Sequence, residues 1–140
     1  MKVFLDANIL VSILNKEYPS FAHTSRILSL AGTPRFRIFT SPLCLAIAAY
    51  FAGKKYQSDT TKQKINTLCE HIEIAEMNTA AVRSALSDPA VKDLEDGFQY
   101  YSALDAGCDC IVTENTGDYY YSRIEVLCSL DFYSRYMARK

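Results

Sequence analysis

Val3-Phe4-Leu5-Asp6-Ala7-Asn8 is the stretch of sequence that decides the fold. Its three apolar residues predict a short buried strand that ends where the polar residues begin. In an open parallel sheet, the carboxyl edge of the strands is where ligands and chemistry are placed. Apolar residues then recur at helical spacing from Asn8 to Leu14. Asp6 is therefore expected at the start of a helix, either as an N-cap alone or as a cap that also belongs to a site.

Strand and helix patterns alternate along the rest of the chain. In the segment 35–40, Phe36 and Ile38 alternate with arginines, which predicts a strand with one buried face. Ser41 and Pro42 predict a helix start, and the apolar run that follows to Phe51 predicts burial on several sides. Strands are predicted at 2–5, 35–40, 72–75, 110–113 and 124–127, and helices at 8–14, 21–31, 43–51, 57–71, 79–86, 94–105 and 132–137. This alternation predicts a three-layer α/β/α sandwich with a mainly parallel central sheet, as one domain over residues 1–140.

Composition excludes several classes of protein. The apolar fraction of 49% is ordinary for a globular chain, and a net charge of -1 gives no global field for a polyanion. The five cysteines are an odd number, and no signal peptide precedes the first strand, so we expect reduced thiols and a cytoplasmic location. The spacing Cys108-x-Cys110 does not suit a zinc site. The longest apolar stretch, near residues 43–52, is too short for a membrane span.

Further acidic residues follow near the other end of the chain. Asp96 stands at a predicted helix start, close to Asp93 and Glu95, and Asn115 and Asp118 follow the predicted strand at 110–113. Taken singly, these residues are typical of helix starts and turns. Carboxylates that converge from distant segments repel each other unless a cation lies among them. Their joint placement with the first strand's aspartate makes a divalent-metal site the leading hypothesis.

The ordered motifs resemble those of the PIN domain family, the metal-dependent ribonucleases that include VapC-type toxins. Phe4-Leu5-Asp6-Ala7-Asn8 matches the family's opening pattern of a hydrophobic residue followed by Leu-Asp-x-Asn. The segment Asp96 to Ala103 matches a helix with Asp and Ala seven residues apart. Ile111 to Tyr119 matches a strand and loop of the form Ile-Val-Thr-x-Asn-x-x-Asp-Phe, and Ile124 to Leu127 resembles the family's last strand. The resemblance covers the whole chain in the right order.

The resemblance implies a site of oxygen ligands. It implies that Mg²⁺ or Mn²⁺ is held by Asp6 and Asp96, with Asn115 and Asp118 lining the same pocket as further metal candidates. Asp6, Asp96 and Asp118 are then the catalytic residues. Thr113 supplies a hydroxyl beside the pocket and, with Asn8, is a candidate for contact with substrate.

The implied activity is metal-assisted hydrolysis of phosphodiesters in single-stranded RNA, without a protein nucleophile. Besides the RNA substrate, the resemblance allows a cognate antitoxin protein and a homodimer as partners. No membrane partner is expected.

One residue departs from the family pattern. The helix after Ser41-Pro42 normally carries a glutamate in a run like Leu-x-Leu-Ala-Glu, and here Ile47 stands at that place. Loss of one carboxylate weakens a magnesium site, although Asp93 could compensate from the opposite side. The alternative reading is a degenerate PIN domain that binds RNA or a partner and cuts slowly or not at all. A phospho-accepting receiver domain is disfavoured because the last predicted strands offer no lysine.

A nucleic-acid surface is less clearly indicated. The lysines at 54, 55, 62 and 64 and the arginines at 35 and 37 are clusters that are more often solvated faces than binding sites. The tyrosine triplet Tyr119 to Tyr121, followed by Arg123, either forms a loop rim whose rings stack on unpaired bases or packs against the last helix.

Overall fold

A computed structural model describes residues 1–138, and its centre is a parallel sheet. The strands are β1 (Lys2–Leu5), β2 (Arg37–Thr40), β3 (Glu73–Ile74), β4 (Cys110–Val112) and β5 (Glu125–Leu127). They lie in the order β3-β2-β1-β4-β5, and every pair is parallel. All five carboxyl ends therefore lie at one edge of the sheet.

Helices occupy most of the connections between the strands. In the described residues they are α1 (Ala7–Asn15), α2 (Phe21–Ser29), α3 (Pro42–Gly53), α4 (Ser58–Cys69), α5 (Thr79–Ser87), α6 (Leu94–Asp105) and α7 (Ser129–Tyr136). Close packing pairs α1 with α3, α3 with α4, α5 with α6, and α2 with α7. The predicted α/β/α sandwich with a parallel central sheet is confirmed.

The first strand is the middle of the sheet, as its composition requires. Val3, Phe4 and Leu5 are completely buried, since β1 is covered on both faces and paired on both edges. The chain places β2 and β3 on one side of β1 and then crosses to place β4 and β5 on the other. The strand order thus reverses between β1 and β4, and such a reversal opens a crevice at the carboxyl edge.

The starts of α3 and α5 are capped by side chains, and the start of α3 at Ser41 follows the prediction. The Ser41 hydroxyl accepts a hydrogen bond from the Cys44 amide at the start of α3, and the side-chain Oδ1 of Asn78 accepts one from the Ala81 amide in α5. Ser41 also donates to Gln99 of α6, which ties the start of α3 to the helix that carries the second acidic cluster.

Two burial predictions were wrong. In β2, Phe39 is buried as well as Ile38, and the charged ends of Lys2 and Arg37 lie over its ring, 5.6 Å and 5.3 Å from the centroid. The helix α3 is not buried on several sides: only its small residues at positions 44, 48 and 52 are fully covered, whereas Tyr50 and Phe51 are 63% and 44% exposed. A spacing of four residues places that small-residue stripe against α1 and lets the two backbones approach closely.

No helix within residues 1–138 combines the length and the apolar character needed to cross a membrane. All five cysteines lie in the described residues and carry free thiols.

Candidate metal centre

Asp6 lies at the junction of β1 and α1 and is only 7% exposed. Its Oδ1 accepts a hydrogen bond from the Ala7 amide at 2.8 Å, so the predicted N-cap is confirmed. The Cys44 thiol lies 3.8 Å from the same oxygen. Oδ2 accepts hydrogen bonds from the Thr113 hydroxyl at 2.9 Å and from the Tyr119 hydroxyl at 3.1 Å. Groups from both halves of the chain therefore hold this carboxylate in one orientation.

Thr113 and Asn8 connect the ends of β1 and β4. The Asn8 side-chain amide donates to the Thr113 hydroxyl oxygen at 3.0 Å, and its carbonyl oxygen accepts from the Glu114 amide. The Asn115 amide also donates to the Thr113 hydroxyl oxygen, at 3.1 Å. These bonds fix the loop after β4 against α1, and their first effect is to position Asp6.

Asp96 lies in the first turn of α6 and is half-buried. Burial, followed in order of size by the negative charges of Asp93, Asp6, Asp118 and Glu95, raises the pKa of its carboxyl to about 7. Asp93 itself caps α6 by accepting a hydrogen bond from the Glu95 amide at 2.9 Å. The carboxylates expected from distant segments are therefore close enough to repel one another.

One cavity of about 430 Å³ collects these side chains at the carboxyl edge of the sheet. The four residues predicted to ligate metal all line it, namely Asp6, Asp96, Asn115 and Asp118. Further acidic residues on its wall are Glu17, Asp93 and Glu95. Val11, Ile47 and Phe51 form an apolar side, so Ile47 does lie beside the acids, where the resemblance expects a glutamate.

The donor set suits a hard cation in type but is sparse in arrangement. Carboxylate and amide oxygens are what Mg²⁺ and Mn²⁺ prefer, and the repulsion around Asp96 is what a cation relieves. Among residues 1–138, however, no three His, Cys, Asp or Glu side chains converge closely enough to hold one ion. Carboxylates repel each other over several ångströms even when they are too far apart to bind the same ion. Since Mg²⁺ is commonly held by one or two carboxylates with water and substrate phosphate, the chemistry fits a two-carboxylate site.

Three residues of this neighbourhood were not predicted as neighbours of the acids. Glu17 lies just beyond α1 and lines the cavity, and Tyr119 and Cys44 contact Asp6 from the interior. The available signals were weak: Tyr119 directly follows the motif residue Asp118, and Cys44 lies one helical turn before Ile47.

The tyrosine triplet does not act as a unit. Tyr119 is buried under Asp6, whereas Tyr120 is 60% exposed and its hydroxyl donates to the Ala90 carbonyl oxygen. The Tyr121 ring stacks edge-on against Tyr100 of α6, with ring centroids 5.2 Å apart. Neither proposed role, a loop rim or packing on the last helix, describes all three.

The basic clusters also differ in their surroundings. Arg37 forms a two-point ion pair with Glu73 on the neighbouring strand, so its charge is already matched. Lys54 lies over two exposed rings at the end of α3, with its ammonium 4.7 Å from the centre of Tyr50 and 5.5 Å from that of Phe51. Because Phe51 also lines the cavity, this aromatic and basic group borders the acidic pocket.

The fold and the carboxyl-edge cavity define a class of protein. The family model described as a PIN domain matches residues 2–117, and the chain belongs to the PIN domain family. Ribonuclease VapC1 of Aquifex aeolicus (strain VF5) is 28% identical over 139 residues, which are 96% of this chain and 95% of that protein.

Solved structures share the fold at low sequence identity. VapBC2 from Rickettsia felis, bound to a DNA fragment from its promoter, superposes with a TM-score of 0.67 at 19% identity, over 91% of this chain and 97% of that chain. VapC20 of Mycobacterium tuberculosis, described as a toxin that cleaves the sarcin-ricin loop, gives 0.61 at 12% identity, over 78% and 86%.

Proposed function

We propose that this chain is a ribonuclease of the VapC toxin type that hydrolyses RNA phosphodiesters with a divalent cation. The observation that carries the proposal is that Asp6 and Asp96, ninety residues apart in sequence, line one cavity at the carboxyl edge of the sheet. Membership of the PIN domain family and the likeness to Ribonuclease VapC1 support the same activity.

In this proposal Asp6 and Asp96 hold Mg²⁺ or Mn²⁺, and Asn115 and Asp118 contribute oxygens beside them. A bound cation would lower the pKa of a water molecule bound to it and neutralise negative charge on the RNA phosphate. The chain's own contribution is orientation: Thr113 fixes Asp6 through a hydrogen bond, and Asn8 fixes Thr113. Asp118 is exposed at the mouth of the cavity and therefore meets the substrate side of the site.

RNA binding is proposed at the group formed by Tyr50, Phe51 and Lys54, named here the α3 ridge. An acidic cavity alone repels a polyanion, so the substrate needs nearby cations. Exposed aromatic rings stack on unpaired bases, and the lysine supplies positive charge where the ridge meets the cavity. This favours single-stranded RNA as the substrate.

The activity test is cleavage of a labelled single-stranded RNA with Mn²⁺ by the wild type, Asp6→Asn and Asp96→Asn. Each substitution should reduce cleavage at least a hundredfold while Asp59→Asn, on an exposed turn of α4, retains it. Equal cleavage by all four proteins would point to a contaminating nuclease and remove the proposed site.

A second candidate function is a PIN domain that binds RNA or a partner without efficient cleavage. Ile47 favours it, because an apolar side chain occupies the cavity wall where the family carries a carboxylate. Ile47→Glu discriminates between the two: Ile47 is half-buried and faces the cavity, so we expect a folded protein with tighter Mn²⁺ binding and faster cleavage. Ala46→Glu, on the exposed side of the same helix, is the matched control.

The wild type's own activity separates the candidates: cleavage that is present before Ile47→Glu and increases with it is the activity of a ribonuclease. A protein that binds RNA before and after Ile47→Glu, and gains cleavage only with the glutamate, is the binding module. Unfolding of Ile47→Glu alone would place Ile47 in the core, contrary to its position on the cavity wall.

We further propose one PIN-like domain over residues 1–140, a cytoplasmic location, and a cognate antitoxin as the protein partner. The VapBC-type structural relatives support an antitoxin. Homodimer formation is also proposed, and its test is the molar mass in solution with and without the co-expressed partner.

A further inference from the structure

The hydrogen-bonding capacity of Asp6 is filled from inside the protein. An ionised carboxylate has about four acceptor positions. Two are taken on Oδ1, by the Ala7 amide and by a weak thiol contact from Cys44, and two on Oδ2, by the hydroxyls of Thr113 and Tyr119. Cys44 and Tyr119 are 0% and 2% exposed, so water does not provide these donors.

The Tyr119 hydroxyl goes beyond what the motif specifies. The corresponding position in the resembling pattern is phenylalanine, which has no donor, and here Asp118 is followed by tyrosine. Burial and the charge of Asp6 raise the pKa of Tyr119, so its hydroxyl stays protonated and donates at neutral pH. A neutral donor on a carboxylate offsets part of the charge that a cation otherwise meets.

Ile47 and the Tyr119 hydroxyl act in the same direction. Ile47 removes a negative charge from the cavity wall, and Tyr119 meets part of the negative charge that remains on Asp6. Both features reduce the repulsion between negative charges that a cation would otherwise relieve in the cavity. Both also weaken the attraction for one.

We propose that the Tyr119 hydroxyl holds Asp6 in place in the metal-free protein and competes with a divalent cation for Oδ2 of that carboxylate. This inference rests on the metal site of the proposed function. The hydroxyls of Thr113 and Tyr119 occupy both lone pairs of Oδ2. A cation therefore binds this oxygen only when one of these two hydrogen bonds breaks. Tyr119→Phe removes the hydroxyl, keeps the ring and leaves one lone pair free.

The test is a thermodynamic cycle with Mn²⁺ as the probe. Wild type, Tyr119→Phe and the control Tyr120→Phe, whose hydroxyl contacts Ala90 instead, are titrated by calorimetry and melted with chelator and with saturating Mn²⁺. Tyr119→Phe should melt at lower temperature in chelator, recover part of that loss with Mn²⁺, and bind Mn²⁺ about fivefold more tightly. Tyr120→Phe should bind Mn²⁺ as the wild type does.

Three results overturn the inference. Unchanged Mn²⁺ affinity in Tyr119→Phe means that the hydroxyl and the cation do not compete. Weaker affinity means that the hydroxyl orients Asp6 for the metal, which is the opposite sign. A loss of stability that is equal with and without Mn²⁺ makes the contact purely structural.

The design also separates this inference from the proposed function. Absence of Mn²⁺ binding in the wild type, Tyr119→Phe and Ile47→Glu overturns the metal site itself. Binding that does not depend on Tyr119 overturns only the competition. Tyr119→Met, a smaller and flexible apolar side chain without a donor, repeats the test in a second variant, and the same affinity increase is required of it.

Discussion

At the scale of single residues, Asp96 carries the electrostatic cost of gathering acids at one edge of the sheet. Its carboxyl is half-buried among the charges of Asp93, Asp6 and Asp118, and its pKa is raised to about 7. A raised carboxyl pKa means that the folded protein binds the proton more tightly than the unfolded chain. The associated stability is complete below pH 4 and is lost as the pH rises through 7.

Asp96→Asn is therefore expected to stabilise the metal-free protein at pH 8. The gain should be about 1–2 kcal/mol in the free energy of unfolding, after allowance for solvent screening of a half-exposed group. At pH 4 the two proteins should differ little, because Asp96 is protonated in the folded wild type. Thermal unfolding in chelator between pH 4 and 8 measures this, and Asp59→Asn on α4 should give no such gain. A destabilised Asp96→Asn at pH 8 would contradict the repulsion.

The residues of the candidate site were predictable to different degrees. Asp6 and Asp96 could be found because each stands at a strand end or a helix start, and these positions follow from local pattern. Tyr119 and Cys44 could not, because each reaches Asp6 from a segment 113 or 38 residues away, and no periodicity reports a contact between side chains. Tertiary packing alone decides which hydroxyl or thiol meets a buried carboxylate.

At the scale of elements, a close approach between helices positions the start of α6. A Cβ at Gly97 would lie 2.5 Å from Val91 Cγ1 and 3.3 Å from the Ala85 Cβ of α5. Glycine therefore lets the first turn of α6 approach its neighbour, and that turn carries Asp96. The acid at the site and the glycine beside it belong to one packing arrangement.

Gly97→Ala should lower the free energy of unfolding by about 1–3 kcal/mol, because the added methyl group forces Val91 or the helix to shift. Metal affinity should fall with it if the shift moves Asp96. Gly53→Ala at the end of α3 is the control, since nothing lies within 4 Å of its Cβ and alanine favours the helix. Chemical denaturation of the two variants checks the contrast, and equal stabilities would contradict the close packing.

For the helix α3, the start could be predicted from the sequence but the buried face could not. Its start was predictable from Ser41 and Pro42, because capping chemistry is local. Its buried face was not, because a run that is apolar all round has no periodicity to indicate a face. In the folded protein, where α3 packs against α1, the small residues of α3 are buried and Tyr50 and Phe51 are exposed to solvent.

At the scale of the whole molecule, an acidic cavity that repels anions lies beside a basic and aromatic surface that attracts them. The net charge of -1 hides an acidic cavity bordered by the α3 ridge. The proposed RNA substrate would therefore have to be bound through a local patch, and its binding should depend strongly on that patch and on salt.

Lys54→Ala should weaken binding of a single-stranded RNA about threefold to fivefold at moderate salt, without a change in melting temperature. The slope of log affinity against log salt should decrease by about 0.7, the value for one phosphate contact on a single strand. Fluorescence anisotropy in chelator measures binding without cleavage. Lys62→Ala, an exposed lysine of α4 outside the ridge, should leave affinity and slope unchanged. Equal effects of the two substitutions would remove the ridge as the RNA contact.

The hydrogen-bond ladder of the sheet continues into the site. The Asp6 amide donates to the Val112 carbonyl oxygen at 3.0 Å, and the Thr113 amide donates to the Leu127 carbonyl oxygen at 2.9 Å. The backbone that carries these two side chains is thus anchored to the neighbouring strands β4 and β5, and exposing its amides to deuterium requires the strands to separate. The amides of Asp6 and Thr113 should therefore exchange with deuterium slowly, and only when the whole protein unfolds. Thermal inactivation and loss of the tertiary structure should then be a single event.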